Sequence, residues 1–241
     1  MAFIIFIAIL IFIAVYCYQN KLFVELNTFF KKGFFKKNNK FGLYLYTGKQ
    51  GTGKTYSAIK FLEKIRNKQE CITLTNVKSY SKSNIDIEYI SDIFRIIGKV
   101  EQLEKNGNNK QIIIFFDEIF TVCEKSGSLT PQILSFLSQL RKRNIIFVST
   151  AQEWSEINIT FRRYCRFQIS CNMVSIPFIN QALLVNRIND GDGICWNNEL
   201  QEFIAPLLQT NISKGLKNII DLYDTYETIS LTSTINKTRS R

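Results

Sequence analysis

Histidine is absent from all 241 residues. Acid–base catalysis on imidazole, Ser-His-Asp or Cys-His nucleophile systems and histidine-ligated metals are therefore excluded. Only three prolines occur, so no proline-rich linker divides two cores, and no internal repeat marks a solenoid. The six cysteines (Cys17, Cys71, Cys123, Cys165, Cys171, Cys195) contain no CxxC pair and fall in apparent strands and loops. Reduced packing residues are the expectation, with a disulfide frame or a zinc site as the alternative. Acidic side chains are outnumbered 20 to 31 by Lys and Arg, which leaves a net charge of +11. That surplus suits an anionic partner, nucleic acid or an anionic membrane surface, without choosing between them. What is plentiful is apolar: at 46% hydrophobic the chain can bury one sizeable α/β core with a short appendage at either end.

Ala2 to Asn20 carries no charge, and Phe3 to Val15 is almost wholly Ile, Phe, Leu and Ala. As a helix it would be about 28 Å long, close to the hydrocarbon thickness of a bilayer. No basic region precedes it and bulky Val15-Tyr16-Cys17-Tyr18 follows, so an uncleaved transmembrane anchor over 1–20 is expected rather than a signal peptide. Lys21, Lys31, Lys32, Lys36, Lys37 and Lys40 all lie beyond it. The positive-inside rule then makes a single-pass protein, short N-terminus outside and the remainder cytoplasmic, with the lipid bilayer as a partner. In segment 21–40, Phe23, Leu26, Phe30 and Phe34 recur at helical spacing among lysines. This reads as a basic amphipathic juxtamembrane helix or as a solvated linker.

Chemistry enters at Gly48. The run Phe41 to Tyr46 has the character of a strand, and it leads into Gly48-Lys49-Gln50-Gly51-Thr52-Gly53-Lys54-Thr55, followed by a helical pattern from Tyr56 to Ile65. This is GxxxxGK[ST] in its strand–loop–helix setting, the Walker A or P-loop. Glycines let consecutive main-chain N–H groups and the helix N-terminus face phosphate oxygens. Gly48, Gln50, Gly51, Thr52, Gly53, Lys54 and Thr55 are therefore the candidate ATP-binding residues, with Lys54 reaching the β- and γ-phosphates and Thr55 holding Mg²⁺.

Gln111 to Phe116 is a continuous apolar run ending in Asp117-Glu118, as expected of a parallel strand buried on both faces that delivers carboxylates to the ligand end of the sheet. Asp117 is assigned to the Mg²⁺ shell and Glu118 to orienting and polarising the attacking water, the Walker B pair. A nucleotide kinase need not keep that glutamate, whereas a hydrolysing motor needs it. A third strand, Asn144 to Thr150, ends at Ala151-Gln152. Gln152 is either a γ-phosphate sensor or a loop hydrogen-bonding residue.

Together, Gly48 to Thr55, Ile112 to Glu118 and the Thr150-Ala151-Gln152 strand end resemble the additional-strand branch of P-loop ATPases that contains FtsK and HerA. Within it the chain is most similar to the zonula-occludens-toxin-like (Zot) ATPases, which include filamentous-phage assembly proteins. Leu134 to Arg143 looks like the helix those proteins place before the sensor strand, and the resemblance covers about residues 41 to 190. It implies an α/β fold with a mostly parallel sheet flanked by helices, and ATP hydrolysis by a homo-oligomeric ring. The ring would work with other membrane assembly proteins to assemble and export a phage particle on the host membrane, with DNA or a DNA–protein particle as a further partner. A DNA translocase or a packaging or conjugative coupling ATPase is the alternative. Zot-like proteins usually carry the membrane span after the ATPase, whereas here the apolar segment comes first. Ring motors of this branch complete each site with a neighbour's arginine, for which Arg141 and Arg143 are preferred, with Arg162, Arg163 and Arg166 next.

The ATPase domain is expected over 41–231. Inside it, Tyr164 to Cys171 reads as a strand, Phe178 to Ile188 as a strand or short helix, and Asp190-Gly191-Asp192-Gly193 as a turn rather than a calcium loop. Residues 232–241, polar and basic with Lys237, Arg239 and Arg241, are expected to be a flexible tail.

Overall fold

The computed structural model describes residues 2–19, 41–175, 182–215 and 217–224. The expected juxtamembrane helix over 21–40 and the tail over 232–241 lie outside the described residues, as do positions 178–181.

Helix α1, Ala2–Gln19, is apolar over most of its length, and its large side chains from Phe3 to Val15 are exposed. It corrects the expected transmembrane helix. At 18 residues it extends about 27 Å, short of the ~20 residues a bilayer crossing requires. Among the described residues no helix is long and apolar enough to cross a membrane. The single-pass topology, with the N-terminus outside and the ATPase domain cytoplasmic, rested on that span and falls with it.

The rest is built on one twisted sheet. Its strands are β1 (Gly42–Thr47), β2 (Cys71–Thr75), β3 (Ile87–Tyr89), β4 (Gln111–Phe116), β5 (Ile146–Ala151), β6 (Cys165–Ser175), β7 (Ala182–Asp190) and β10 (Leu207–Lys214). They lie in the order β10-β7-β6-β1-β5-β4-β2-β3. From β6 to β3 every pairing is parallel, while β7 and β10 add antiparallel strands at one edge. A separate two-stranded hairpin, β8 (Cys195–Asn197) and β9 (Glu202–Ile204), is tied to the body by the Trp154 Nε1–H bond to the Phe203 carbonyl at 3.0 Å.

Helices cover both faces: α2 (Lys54–Arg66), the short α3 (Lys78–Ser81), α4 (Ile93–Lys105), α5 (Pro131–Gln139), the short α6 (Ile159–Tyr164) and α7 (Lys217–Ile220). Alternate side chains of each central strand feed opposite cores. Leu43, Leu45, Ile112, Ile114, Phe116 and Phe147 pack with Ile96, Val100, Phe136 and Leu137 of α4 and α5. Tyr44, Tyr46, Ile113, Phe115, Ile146 and Val148 pack with Ile59, Leu62 and Ile65 of α2. This two-sided burial is why the strands read as unbroken apolar runs instead of alternating ones. Helix ends follow local rules: the Asp92 carboxylate accepts from Phe94 and Arg95 N–H at 2.7 and 3.1 Å, and Thr130 with Pro131 starts α5.

The helix expected over Leu134 to Arg143 begins and ends earlier, at Pro131 and Gln139. Residues 182–190 settle as strand. All six cysteines are free thiols, and burial pushes Cys123 and Cys171 up to about 12. Asp190 to Gly193 is a turn in which Asp192 N–H donates to Asp190 Oδ1 at 3.1 Å, and no metal-binding cluster occurs among the described residues.

That turn is pressed against the start of β6. Gly191 N–H donates to the Arg166 carbonyl at 3.0 Å, and a methyl at Gly191 would sit 1.9 Å from the Cys165 carbonyl oxygen. Gly191→Ala should therefore force the β6–β7 junction apart and cost about 3 kcal/mol, read as a lower urea midpoint; an unchanged midpoint would refute the close packing.

Candidate nucleotide site

Strand β1 ends at Thr47, and the chain then wraps around its own main chain before entering α2 at Lys54. Gly48 is where the loop passes closest to β6: a Cβ there would lie 2.6 Å from both the Cys171 carbonyl oxygen and Thr52 Oγ1. Gly53, in the left-handed region at φ 77, is the N-cap of α2 and gives that helix no side-chain cap. A Cβ on it would lie 2.7 Å from Leu184 Cδ2. An uncapped helix start on a glycine leaves its N–H groups directed at an incoming anion, with the positive end of the helix dipole behind them. Thr52 closes the loop through its hydroxyl and N–H, both donating to the Lys49 carbonyl, at 2.7 and 3.3 Å. The buried Lys54 ammonium also donates to that carbonyl, at 3.3 Å, which holds its charge at the loop.

Across from the loop, the end of β4 gathers side chains from three other elements. Thr55 on α2 donates its hydroxyl to both Asp117 oxygens at 3.2 and 3.3 Å. Thr150 on β5, fully buried, donates to Asp117 Oδ1 at 2.5 Å and accepts from Glu118 N–H at 2.9 Å. Asn76, immediately after β2, brackets the Asp117 main chain: its Oδ1 accepts from Asp117 N–H at 2.7 Å and its Nδ2 donates to the Asp117 carbonyl at 2.9 Å.

Glu118 occupies the left-handed region, φ 57 and ψ 55. A non-glycine residue there is strained, and such strain collects at functional turns. The Glu118 Oε2 is buried with no hydrogen-bond partner among the described residues. Burial raises the Glu118 carboxyl above its ordinary value of 4.5; Asp117 and, less strongly, Glu156 add to the shift, while Lys54 opposes it.

The sequence-predicted residues Gly48, Gln50, Gly51, Thr52, Gly53, Lys54 and Thr55 thus form one loop, facing Asp117 and Glu118. Gln152 is exposed; its main-chain carbonyl accepts from Gly48 N–H at 3.0 Å, tying the β5 end to the loop. The side chain on this strand that touches the acids is Thr150. Arg141 and Arg143 lie before β5, whose first residue pairs with Gly42 at the start of β1, so they stand at the end of the sheet opposite their own loop, about 20 Å away. Arg143 is engaged by Glu104 at 3.4 Å and Glu101 at 4.0 Å, whereas Arg141 is exposed. Of the other arginines, Arg162 is buried, donating to the Phe203 carbonyl at 3.3 Å, Arg166 stacks 4.3 Å over Phe41, and Arg163 is exposed.

Thr150 and Asn76 are site residues that sequence reasoning missed. Thr150 had a signal, a hydroxyl one residue before the strand end; Asn76 had only its place after a short apolar run. Tyr223 had none. Its segment packs on the α2 side of the sheet, and burial, then Asp117 and Tyr56, push its hydroxyl up to about 12.

Comparison with known families agrees with this geometry. The profile of the ATPase family associated with various cellular activities (AAA) matches residues 44–174, more than half of the chain. The chain belongs to the AAA family. It is a P-loop ATPase, and nucleotide is its ligand. No curated protein matches. Among solved structures the chain is similar to the N-terminal domain of zonular occludens toxin from Neisseria meningitidis, with 18% identity over 76% of this chain and 98% of that one and a TM-score of 0.47. It is also similar to the genome packaging NTPase B204 from Sulfolobus turreted icosahedral virus 2 in complex with AMPPCP, with 13% identity over 74% of this chain and 100% of that one and a TM-score of 0.48. Another is the flagellar accessory protein FlaH from Methanocaldococcus jannaschii, with 13% identity over 71% and 89% and a TM-score of 0.42. The likeness to the Zot-like ATPases expected from the motifs is thus met.

Mg²⁺ fits this AAA site: an uncapped helix start that a Cβ would block faces a hydroxyl and carboxylate pair, Thr55 and Asp117, of the oxygen chemistry the ion takes. Two outcomes follow from the geometry. Thr150→Val removes the hydroxyl serving Asp117 and Glu118 together, so it should cost about 1–3 kcal/mol of stability and lower kcat while ATP binding persists; wild-type kcat would show the bridge to be dispensable. Because the folded-state Glu118 pKa is raised, the folded protein holds that proton more tightly than the unfolded chain, and stability is lost as pH rises through the folded value. Glu118→Gln should then raise Tm at pH 7, with the gain vanishing below about pH 4; equal Tm values at both pH values would contradict the burial.

Proposed function

We propose that this ATPase is the motor for assembly and export of a filamentous phage-like particle, its catalytic unit lying within residues 41–231. The observation that carries the reading is the joint cluster of Thr55, Asp117 and Glu118, spanned by a strand wedged between P-loop strand and acid strand. In the proposed cycle, the loop from Gly48 to Thr55 binds the triphosphate of ATP, and Lys54 offsets charge on the β- and γ-phosphates. Thr55 and Asp117 hold Mg²⁺, which when bound supplies further neutralisation of that charge. Glu118, ionised, accepts a hydrogen bond from the attacking water and draws its proton. Thr150 keeps both acids in register, and Gln152 sits at the strand end where a change at the γ-phosphate would be felt.

The working form is a ring of identical subunits with other assembly proteins bound to it. In this reading Arg141, exposed and remote from its own loop, serves a neighbour's phosphate. A second reading, a DNA translocase or packaging ATPase, is favoured by the net charge of +11.

Turnover by the full-length protein, measured with and without DNA, separates the two. Lys54→Ala should abolish turnover in either case. Rates indifferent to free DNA fit the assembly motor, while stimulation of hydrolysis that falls steeply with salt fits the translocase. Dependence on a nucleotide acceptor would overturn both in favour of a kinase.

A further inference from the structure

The antiparallel extension of the sheet does not seal against α2. Between them runs a cleft of about 600 Å³, walled on one side by Lys60, Lys64 and Lys68 and on the other by Asn186, Gln209, Asn211 and Ser213. Phe61, Ile169 and Ile188 form part of its floor. Lys60 and Lys64 are one turn apart on α2, about 6 Å along its axis, and Lys68 follows in the turn that ends the helix.

The charge in this cleft is uncompensated. The Lys60 ammonium donates to Ser213 Oγ at 3.0 Å and to the Lys214 carbonyl at 3.2 Å, both neutral acceptors. Among the described residues, none of the three lysines has a carboxylate within ion-pair distance; the nearby Glu63 is taken by Arg66 at 3.0 Å. Burial and then Lys64 lower the Lys60 pKa, so its charged form is held at a cost that a bound anion would relieve.

We propose that this cleft binds the phosphate backbone of a single-stranded nucleic acid. Cations spaced along a line suit a chain of phosphates better than one compact anion. The opposite wall of amides and a hydroxyl can bond to phosphate, sugar and base edges, and an aromatic ring at the floor is common in sites of this kind. A volume of about 600 Å³ is too small to take in a duplex. An acidic peptide would satisfy the same lysines and amide donors but brings no base to lie against the ring of Phe61, which favours the nucleic acid. One end of the cleft touches the nucleotide helix: Ser57, in the first turn of α2, donates to Asn186 Oδ1 at 3.2 Å. An occupant is thereby in contact with the helix that holds the phosphates of ATP. The inference goes beyond the motor reading and does not require ATP turnover.

The test is fluorescence anisotropy of a labelled oligothymidylate of about ten nucleotides on the full-length protein across a salt series. Wild type should bind with a steep negative slope of log K against log salt. The triple variant Lys60→Gln, Lys64→Gln, Lys68→Gln should flatten that slope by about 2, and the exposed pair Lys64→Gln, Lys68→Gln by about 1.4, at roughly 0.7 for each phosphate no longer neutralised. The double variant leaves the Lys60 bridge to β10 intact, so it reads charge without disturbing the fold. Lys54→Ala should bind the strand as wild type does, which keeps failure of the nucleotide site distinguishable from failure of the cleft. The proposal is overturned by variants that keep the wild-type slope and affinity, by loss of strand binding in Lys54→Ala, or by polyaspartate or inorganic tripolyphosphate displacing the strand at equal charge concentration.

Discussion

The carboxylate of Asp117 is the point on which the arrangement of the site depends. It ends β4, yet its oxygens are held by hydroxyls from α2 and β5, and its peptide groups by the amide of Asn76 after β2. A half-buried charge is tolerable only when hydrogen bonds replace the water it has lost. Here those replacements tie four separate elements together, so fixing the charge also fixes how the P-loop helix stands relative to three strands. The left-handed turn at Glu118 depends on the same node, because the hydroxyl that donates to Asp117 accepts from the Glu118 N–H. Two adjacent carboxylates can therefore face different tasks one residue apart.

The order of strands makes that node possible. With β5 between β1 and β4, its C-terminal end touches the phosphate loop on one side, through the Gln152 carbonyl and Gly48 N–H, and the acids on the other, through Thr150. If β1 and β4 were neighbours, the loop and the acids would have to meet directly. A fully buried strand between them is a stiff strut, so displacement of the loop by a phosphate is carried to the acids without passing through flexible chain. The antiparallel edge does related work from the other side, since Leu184 on β7 packs against Gly53 where α2 begins.

Much of this was legible in the sequence for one physical reason. Strands buried on both faces must be apolar throughout, and β1, β4 and β5 stand out from their surroundings on that basis, each followed by its chemical residues. The P-loop was equally plain because its glycines are demanded by close approach and positive φ. Thr150 was not, because threonine inside a strand reads as an ordinary β-former and its hydroxyl acquires a partner only through strand order. Asn76 follows the short strand Cys71–Thr75 and has the look of a turn residue until β2 is set beside β4. Tyr223 reaches the α2 face from a segment with no local pattern. The apolar N-terminal segment failed in the opposite direction: its composition suggested a span, but length is a separate requirement, and the described helix, Ala2–Gln19, has 18 residues.

The electrostatics of the site bear on why such an ATPase would work as a ring. Around the loop, one ammonium, Lys54, is opposed by Asp117 and Glu118 and more weakly by Glu156; burial first, and Asp117 after it, raise the Glu118 carboxyl against the pull of Lys54. A triphosphate brings more negative charge than one ammonium and a helix dipole offset. Thr55 and Asp117 would hold a divalent cation, which would answer part of that deficit. The developing charge on the far side of the γ-phosphoryl group still needs a cation. Among the described residues, Arg162 bonds the Phe203 carbonyl, Arg166 bonds the Phe41 carbonyl, and Arg141 and Arg143 lie at the other end of the sheet. The same separation that removes Arg141 from its own loop leaves it exposed, and the proposed ring would use it by meeting it with another copy's site.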